Sequence, residues 1–167
     1  PGSNLATTAS PLRRGLHRVA SARQSTQSVV SVLEDVGFDL HRGVETRSVV
    51  PVEQVLGVVG GNAEASRSYV PTRGRHLDRL FSALDRPPGL GFVDIGGGKG
   101  LVWLKASDRS FARIIGIEFG ENLIRIAQQN VDADQARRGS RLGIELVHAD
   151  ASAWPLPDDI NVLYLYN

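Results

Sequence analysis

The apolar residues follow one pattern in the first part of the chain and another in the second. Between residues 25 and 36, valines and a leucine recur at helical spacing, which predicts a short helix that Gly37 ends. The mixed polar and apolar positions of residues 38–52 predict extended segments or turns. The glycine-rich residues 57–62 predict a loop.

From Thr72 onwards, helical and strand-like patterns alternate. Leucine and phenylalanine side chains at helical spacing predict a helix that ends before Pro87. Four apolar runs predict strands at residues 90–95, 112–118, 144–147 and 160–166, and helical spacing recurs at residues 100–106 and 122–137. Strands that alternate with helices predict an α/β fold, in which a parallel sheet carries helices on both faces.

Composition excludes several classes of protein. The 167 residues are 41% hydrophobic, which suits a globular core, and no apolar run reaches the roughly 18 residues that a membrane span needs. The net charge of +1 does not favour nucleic acid as a partner. The chain has no cysteine, which rules out disulfides and fits a cytoplasmic protein. The histidines lack metal-ligand spacing, so no metal is predicted.

The chain before residue 71 is predicted to lie outside the α/β domain. Residues 1–24 begin like a cloning scar and continue as a polar, arginine-rich stretch without acidic residues, which indicates a flexible leader. An organelle transit peptide has the same composition and is the alternative. Residues 25–70 then form an N-terminal extension, and residues 71–167 form the domain.

A glycine loop follows the first predicted strand. Residues 92–100 read Phe-Val-Asp-Ile-Gly-Gly-Gly-Lys-Gly, so an apolar strand runs directly into glycines that open a helix. Glycine permits a sharp turn with positive φ and lets a ligand approach the backbone closely. Ligands of open parallel sheets bind at the carboxyl ends of the strands, which is where this loop lies.

Three kinds of nucleotide loop compete for this segment. The phosphate loop requires a spacing and a Lys-Ser/Thr pair that are absent, and the dinucleotide fingerprint requires glycine where the chain has Leu101. Glycines at 96, 98 and 100 with Asp94 before them resemble motif I of class I S-adenosylmethionine (SAM) methyltransferases. The resemblance implies that SAM is the cosubstrate. It also implies that the motif binds SAM, through Asp94, Gly96, Gly97, Gly98 and Gly100.

Acids at the next two strand ends extend the predicted site. Glu118 ends the second strand, and an ionised carboxylate there can accept both hydroxyls of a ribose, as it does in dinucleotide folds. The resemblance to methyltransferases adds the following Phe119. It also implies that Asp150 and the Ala151 backbone bind adenine, whereas Asp150 could instead cap a helix.

Two further segments resemble methyltransferases. Amino-group methyltransferases place an Asp/Asn-Pro-Pro-aromatic motif after the fourth strand, and Asn167 matches its first position, which implies a catalytic role. Residues 69–72 (Tyr-Val-Pro-Thr) resemble small bacterial methyltransferases distantly similar to the Dot1 type, as do residues 38–39 and 43–46. In that group this stretch covers the SAM site, which implies that Tyr69 and Thr72 contact SAM. The alternative for Thr72 is the N-cap of the next helix.

The resemblance also implies a strand order. The family's sheet runs 3-2-1-4-5-7-6, and four strands are recognisable here, so we expect an incomplete Rossmann-like sheet of order 3-2-1-4 in a truncated chain. The fourth strand would then expose an apolar edge, which predicts a homo-oligomer.

The predicted function is SAM-dependent methyl transfer to an unidentified acceptor, either a small molecule or a protein. One alternative is a module that binds SAM without turnover. Another is a Rossmann-type oxidoreductase that uses NAD. A third is an interaction domain that uses the arginine-rich leader.

Overall fold

The computed structural model describes residues 29–60, 67–84, 89–141 and 143–166. The predictions for the leader, residues 1–24, and for Asn167 lie outside the described residues.

Helices and strands alternate along the second part of the chain as the apolar pattern predicts. The elements are α1 (residues 29–42), α2 (Gly74–Ala83), β1 (Gly91–Ile95), α3 (Leu101–Ala106), β2 (Arg113–Glu118), α4 (Glu121–Arg138), β3 (Ile144–His148) and β4 (Ile160–Leu165). Residues Val52–Gln54 add one 3-10 turn. No helix among the described residues has an apolar stretch long enough to cross a membrane.

The four strands form one parallel sheet in the order β3-β2-β1-β4, which confirms the predicted order. The register places Asp94 of β1 beside Gly116 of β2 on one side and Tyr164 of β4 on the other. Since all strands run in the same direction, their carboxyl ends meet at one edge. At that edge the glycine loop and Asp150 follow strands, and Asp94 and Glu118 lie in the last residues of theirs.

The described helices cover one face of the sheet. Side chains of α2, α3 and α4 pack in one cluster with Phe92 and Ile114. The crossovers β1-α3-β2 and β2-α4-β3 run in the same direction, so right-handed connections put both helices on the same side. On the opposite face, Val93 and Ile115 pack against Trp154 from the β3–β4 connection, which consists of turns. Helices on both faces were predicted, and the described residues place them on one.

The indole of Trp103 fills the space between α3 and the sheet. It is fully buried. A Cβ atom built on Gly97 would lie 1.9 Å from this ring, and one on Gly116 would lie 2.1 Å from it. Any side chain at either position would overlap the indole. Glycine at both positions therefore makes room for the tryptophan ring.

The prediction that Gly37 ends the first helix is wrong. Helix α1 continues through Gly37 to residue 42, and the chain leaves it at Gly43, whose φ is +70°. The last turn is held by cations that pack on the Phe38 ring: Arg42 lies 4.6 Å from its centroid and Lys105 4.8 Å. The stabilisation from these contacts exceeds the free-energy cost of a glycine inside a helix, which is about 1 kcal/mol relative to alanine. Part of the segment predicted to be extended is therefore helical.

We expect Gly116→Ala to destabilise the chain by about 1–3 kcal/mol in urea unfolding, because the new methyl group would overlap Trp103. Gly37→Ala is the matched control. Nothing lies within 4 Å of its Cβ position, so this change should stabilise the chain by about 0.5–1 kcal/mol. Equal effects of the two substitutions would contradict the packing described for Trp103.

Candidate functional site

A cavity of about 830 Å³ opens at the carboxyl edge of the sheet. Its walls come from the ends of β1, β2 and β4, from the turn after β3, from the first turns of α3 and α4, from residues 67–70 of the N-terminal extension, and from Thr72. Of the predicted SAM-binding residues, all but Gly98 and Gly100 line it: Tyr69, Thr72, Asp94, Gly96, Gly97, Glu118, Phe119, Asp150 and Ala151. The fold thus brings residues from four separate stretches of the sequence to one place.

The glycine loop has the backbone conformation that its spacing predicts. Gly96, Gly98 and Gly100 have φ values of +75°, +56° and +87°, which favour glycine. A Cβ atom on Gly96 would meet nothing within 4 Å, so this residue faces open space at the cavity wall. A Cβ atom on Gly98 would lie 2.2 Å from the ring of Tyr69, so this position allows the extension to pack on the loop.

Glu118 ties the glycine loop to the end of β2. Its Oε2 accepts the Gly98 N–H at 2.8 Å, and its Oε1 accepts the N–H groups of Phe119 at 2.9 Å and Gly120 at 2.8 Å. Burial raises the pKa of this carboxyl, and the three N–H groups together with His148 oppose the shift. A structural role as the link between two strand ends therefore accompanies the predicted role in ribose binding.

Asp94 is a buried acid with an unsatisfied oxygen. Its residue is 2% exposed, and neither its Oδ2 nor the nearby Trp103 Nε1 has a hydrogen-bond partner among the described residues. Burial raises the pKa of Asp94 to about 8, the negative charge of Glu118 adds to the rise, and the neighbouring indole only partly opposes it. The site therefore holds a carboxyl that borders the cavity and whose burial favours its protonated form.

Asp150 closes a turn at the cavity wall. Its Oδ1 accepts the Ser152 N–H at 2.9 Å and the Ser152 hydroxyl at 2.7 Å. Residues 149–154 form turns and bends, so the alternative in which Asp150 caps a helix is wrong. Gly60 lies against this carboxylate, since a Cβ atom there would be 2.4 Å from Oδ2. The extension therefore reaches this side of the cavity as well.

Tyr69 of the extension and Thr72, at the start of the domain, also line the cavity. The Tyr69 hydroxyl donates to the Thr46 carbonyl at 2.7 Å, and Thr72 lies near the half-buried Tyr164 of β4. Thr72 does not cap α2, whose N-cap is Arg73 without a side-chain cap. Instead, Asp35 of α1 accepts the N–H of Gly74 at 3.0 Å.

The sequence arguments missed the polar contacts behind the glycine loop. Lys99 is 2% exposed, and its Nζ lies 2.6 Å from Glu45 Oε2 of the extension. Asn130 of α4 hydrogen-bonds to the backbone of both residues. Lysine is almost never fully buried unless it is paired, so a lysine between the glycines of this loop could have indicated a buried ion pair. The sequence does not identify the partner, because Glu45 is 54 positions away. Among the described residues, no three His, Cys, Asp or Glu side chains cluster closely enough to hold a metal ion.

Residues 93–165 match a family described as a methyltransferase domain. The match runs from within β1 to the end of β4, so it includes the strand ends that build the cavity, and it covers less than half of the 167 residues. Among curated proteins, no sequence matches the chain.

Solved structures similar to the chain include methyltransferases. An RNA methyltransferase from Salinibacter ruber, in complex with S-adenosylhomocysteine, is 25% identical with a TM-score of 0.49, over 59% of this chain and 61% of that one. A SAM-dependent methyltransferase from Geobacter sulfurreducens, with the same ligand, is 24% identical with a TM-score of 0.45, over 55% and 35%. One from Thiobacillus denitrificans, also with this ligand, is 22% identical with a TM-score of 0.46, over 55% and 36%. The chain thus spans little more than a third of the last two.

Asp94 should make the stability of the ligand-free protein depend on pH. Its pKa is about 8 in the folded chain and near 3.8 ordinarily, so folding takes up a proton between these values and stability falls as pH rises through that window. Asn cannot ionise, so the stability of Asp94→Asn relative to the parent should rise by up to about 1.4 kcal/mol per pH unit from pH 5 to pH 8.

Urea unfolding of both proteins at several pH values measures this difference. Asp158→Asn, at an exposed turn before β4, is the control and should show no such trend. A difference between Asp94→Asn and the parent that does not change with pH would show that Asp94 is ionised in the folded chain.

Proposed function

We propose that the chain is the cosubstrate-binding part of a SAM-dependent methyltransferase. One observation carries the proposal. The ends of three neighbouring strands bring Asp94, Glu118 and Asp150 around one cavity that a glycine loop borders. The methyltransferase match over residues 93–165 supports the same conclusion.

The residues at the cavity fit SAM. The unsatisfied Oδ2 of Asp94 can accept a hydrogen bond from an ammonium group, and ionisation of this acid would be favoured by the positive charge. Gly96 leaves open space for the methionine part beside it. Glu118 Oε2 accepts one N–H and retains a position for a ribose hydroxyl. When bound, SAM supplies a methyl group made electrophilic by its sulfonium.

The adenine end of the ligand belongs on the β3 side of the cavity. Asp150 uses its Oδ1 for the turn with Ser152, and we assign its carboxylate and the Ala151 N–H to adenine recognition. Phe119, which follows Glu118, also lines the cavity. Its apolar ring suits the face of a purine.

NAD fits this loop less well than SAM. Leu101, where a dinucleotide loop needs glycine, is 4% exposed and packs in the core with Trp103. The Gly98 N–H donates to Glu118, so it does not point towards a pyrophosphate. An anionic pyrophosphate would also lie close to the buried Glu118 carboxylate, which disfavours it electrostatically, and it would oppose ionisation of Asp94.

Positioning and exclusion of water are the contributions that this site makes to methyl transfer. The acceptor approaches from the side of β4, where Tyr164 and Tyr166 line the cavity. We assign Asn167, the next residue, to binding the nucleophile beside the methyl group. Binding without turnover is the second candidate function, and it predicts SAM affinity with no methylated product from any acceptor supplied.

The acceptor is a small molecule or a protein in this proposal. The charged residues that line the cavity are three acids and one arginine, Arg67, and the chain carries a net charge of only +1. Nucleic acid requires a more positive surface. We retain in this proposal the resemblance of residues 38–39, 43–46 and 69–72 to small bacterial methyltransferases that are distantly similar to the Dot1 type.

Calorimetric titration with SAM, S-adenosylhomocysteine and NAD tests the proposal. We expect both adenosyl ligands to bind and NAD not to bind. Glu118→Gln should weaken SAM binding by about 1–3 kcal/mol, because its amide replaces an acceptor that charge-assisted hydrogen bonds need. Glu145→Gln changes an exposed acid near the amino end of β3, away from the cavity, and should leave the affinity unchanged. Binding of NAD without SAM would overturn the assignment.

We propose further that the chain self-associates through β4. Among the described residues β4 pairs only with β1, and its Leu163 is 55% exposed. An apolar strand edge invites pairing with a second copy. Light scattering at high micromolar concentration should give a mass above 18.0 kDa, and Leu163→Lys should lower it. The control Leu40→Lys, at an exposed position of α1, should not. A monomer in all three cases would contradict self-association.

A further inference from the structure

We propose that Glu45, Lys99 and Asn130 form a positioning unit that holds the glycine loop in the conformation its ligand requires. The N-terminal extension is then part of the binding site through a residue that does not line the cavity. The inference rests on the proposed function for the identity of the ligand, SAM, but the effect on the loop is independent of it.

Lys99 anchors the loop from behind. Its side chain is 2% exposed, and its Nζ contacts the Glu45 carboxylate and the Ser48 hydroxyl and lies 5.6 Å from the centre of the Tyr69 ring. All three partners belong to the extension. A buried ammonium needs such partners, because leaving water without them costs several kcal/mol. The loop therefore reaches its conformation only with the extension in place.

Both carboxylate oxygens of Glu45 have hydrogen-bond partners. Its Oε2 lies 2.6 Å from Lys99 Nζ, and its Oε1 accepts the Ser48 N–H at 2.8 Å. Burial raises the pKa of Glu45, but Lys99 and Ser48 more than offset this, so the pKa lies below its ordinary value. The carboxylate is thus the anion that makes burial of the loop lysine possible.

Asn130 joins the loop, the extension and α4. Its Oδ1 accepts the Glu45 N–H at 2.8 Å, and its Nδ2 donates to the carbonyls of Glu45 at 2.9 Å and Lys99 at 3.0 Å. The side chain is 5% exposed, so these bonds replace those that water would make. One amide thereby fixes the backbone of the loop and of the extension relative to the same helix.

The loop amides report the effect of this unit directly. In the described structure the N–H groups of Gly96 and Gly97 donate to the Ile117 carbonyl, and that of Gly98 donates to Glu118. Their exchange with deuterium therefore requires the loop to open. If the unit holds the loop, weakening it should speed exchange here and leave β2 protected.

The test compares Glu45→Gln and Asn130→Asp with the parent chain, and uses Glu145→Gln as a matched control. Glu45→Gln removes the anion, and Asn130→Asp replaces the donor to two carbonyls with an acceptor. We expect both to speed exchange of residues 96–100 about tenfold or more and to raise the Kd for SAM about tenfold, with little change in residues 113–118. Glu145→Gln breaks only an exposed ion pair with Arg113 and should change neither quantity.

A purely structural role predicts another result. Glu45→Gln and Asn130→Asp would then lower the unfolding midpoint while native-state exchange of the loop and the Kd stayed at parent values, and the proposal would be overturned. If Glu45→Gln does not fold, Glu45→Gln with Lys99→Met removes the buried charge and should still show fast loop exchange. If the parent chain does not bind SAM, the proposed function fails, and the exchange data alone decide the positioning role.

Discussion

The Glu118 carboxylate holds together the two strand ends between which the cavity opens. It accepts N–H groups from the glycine loop after β1 and from the backbone after β2, and these bonds offset the cost of burying an acid that is 3% exposed. The same charge helps to raise the pKa of Asp94. A cationic ligand beside these acids would favour ionisation of Asp94. The carboxylate that shapes the site therefore also favours a ligand with positive charge.

The elements of the domain follow from local pattern. Apolar runs that alternate with helical spacing predict every strand to within one residue of its observed bounds. Burial on both faces of the sheet demands such runs in the two central strands, β1 and β2. The site positions are equally local, since ligands bind where parallel strands end. Asp94, Glu118 and Asp150 each lie at or just after the end of a strand, so the pattern of strands is enough to place all three at one edge.

Contacts between distant residues were not predictable. Helix α1 passes Gly37 because Phe38 and the cations around it stabilise the next turn. The partners of Lys99 lie in the extension, and no periodicity links segments so far apart. The helices gather on one face because the long connection between β3 and β4 forms turns, although it has the length of a crossover. Tertiary packing decides all three outcomes.

Nitrogen–proton correlation spectra recorded during a titration with S-adenosylhomocysteine test the central claim most directly. The cavity is lined by Gly96, Gly97, Phe119 and Ala151, so the account predicts that their amide signals shift together and saturate. The amide signals of residues at the amino ends of the strands should not move. NAD at the same concentration should shift none of them. Unchanged spectra with S-adenosylhomocysteine, or the same shifts with NAD, would contradict the account.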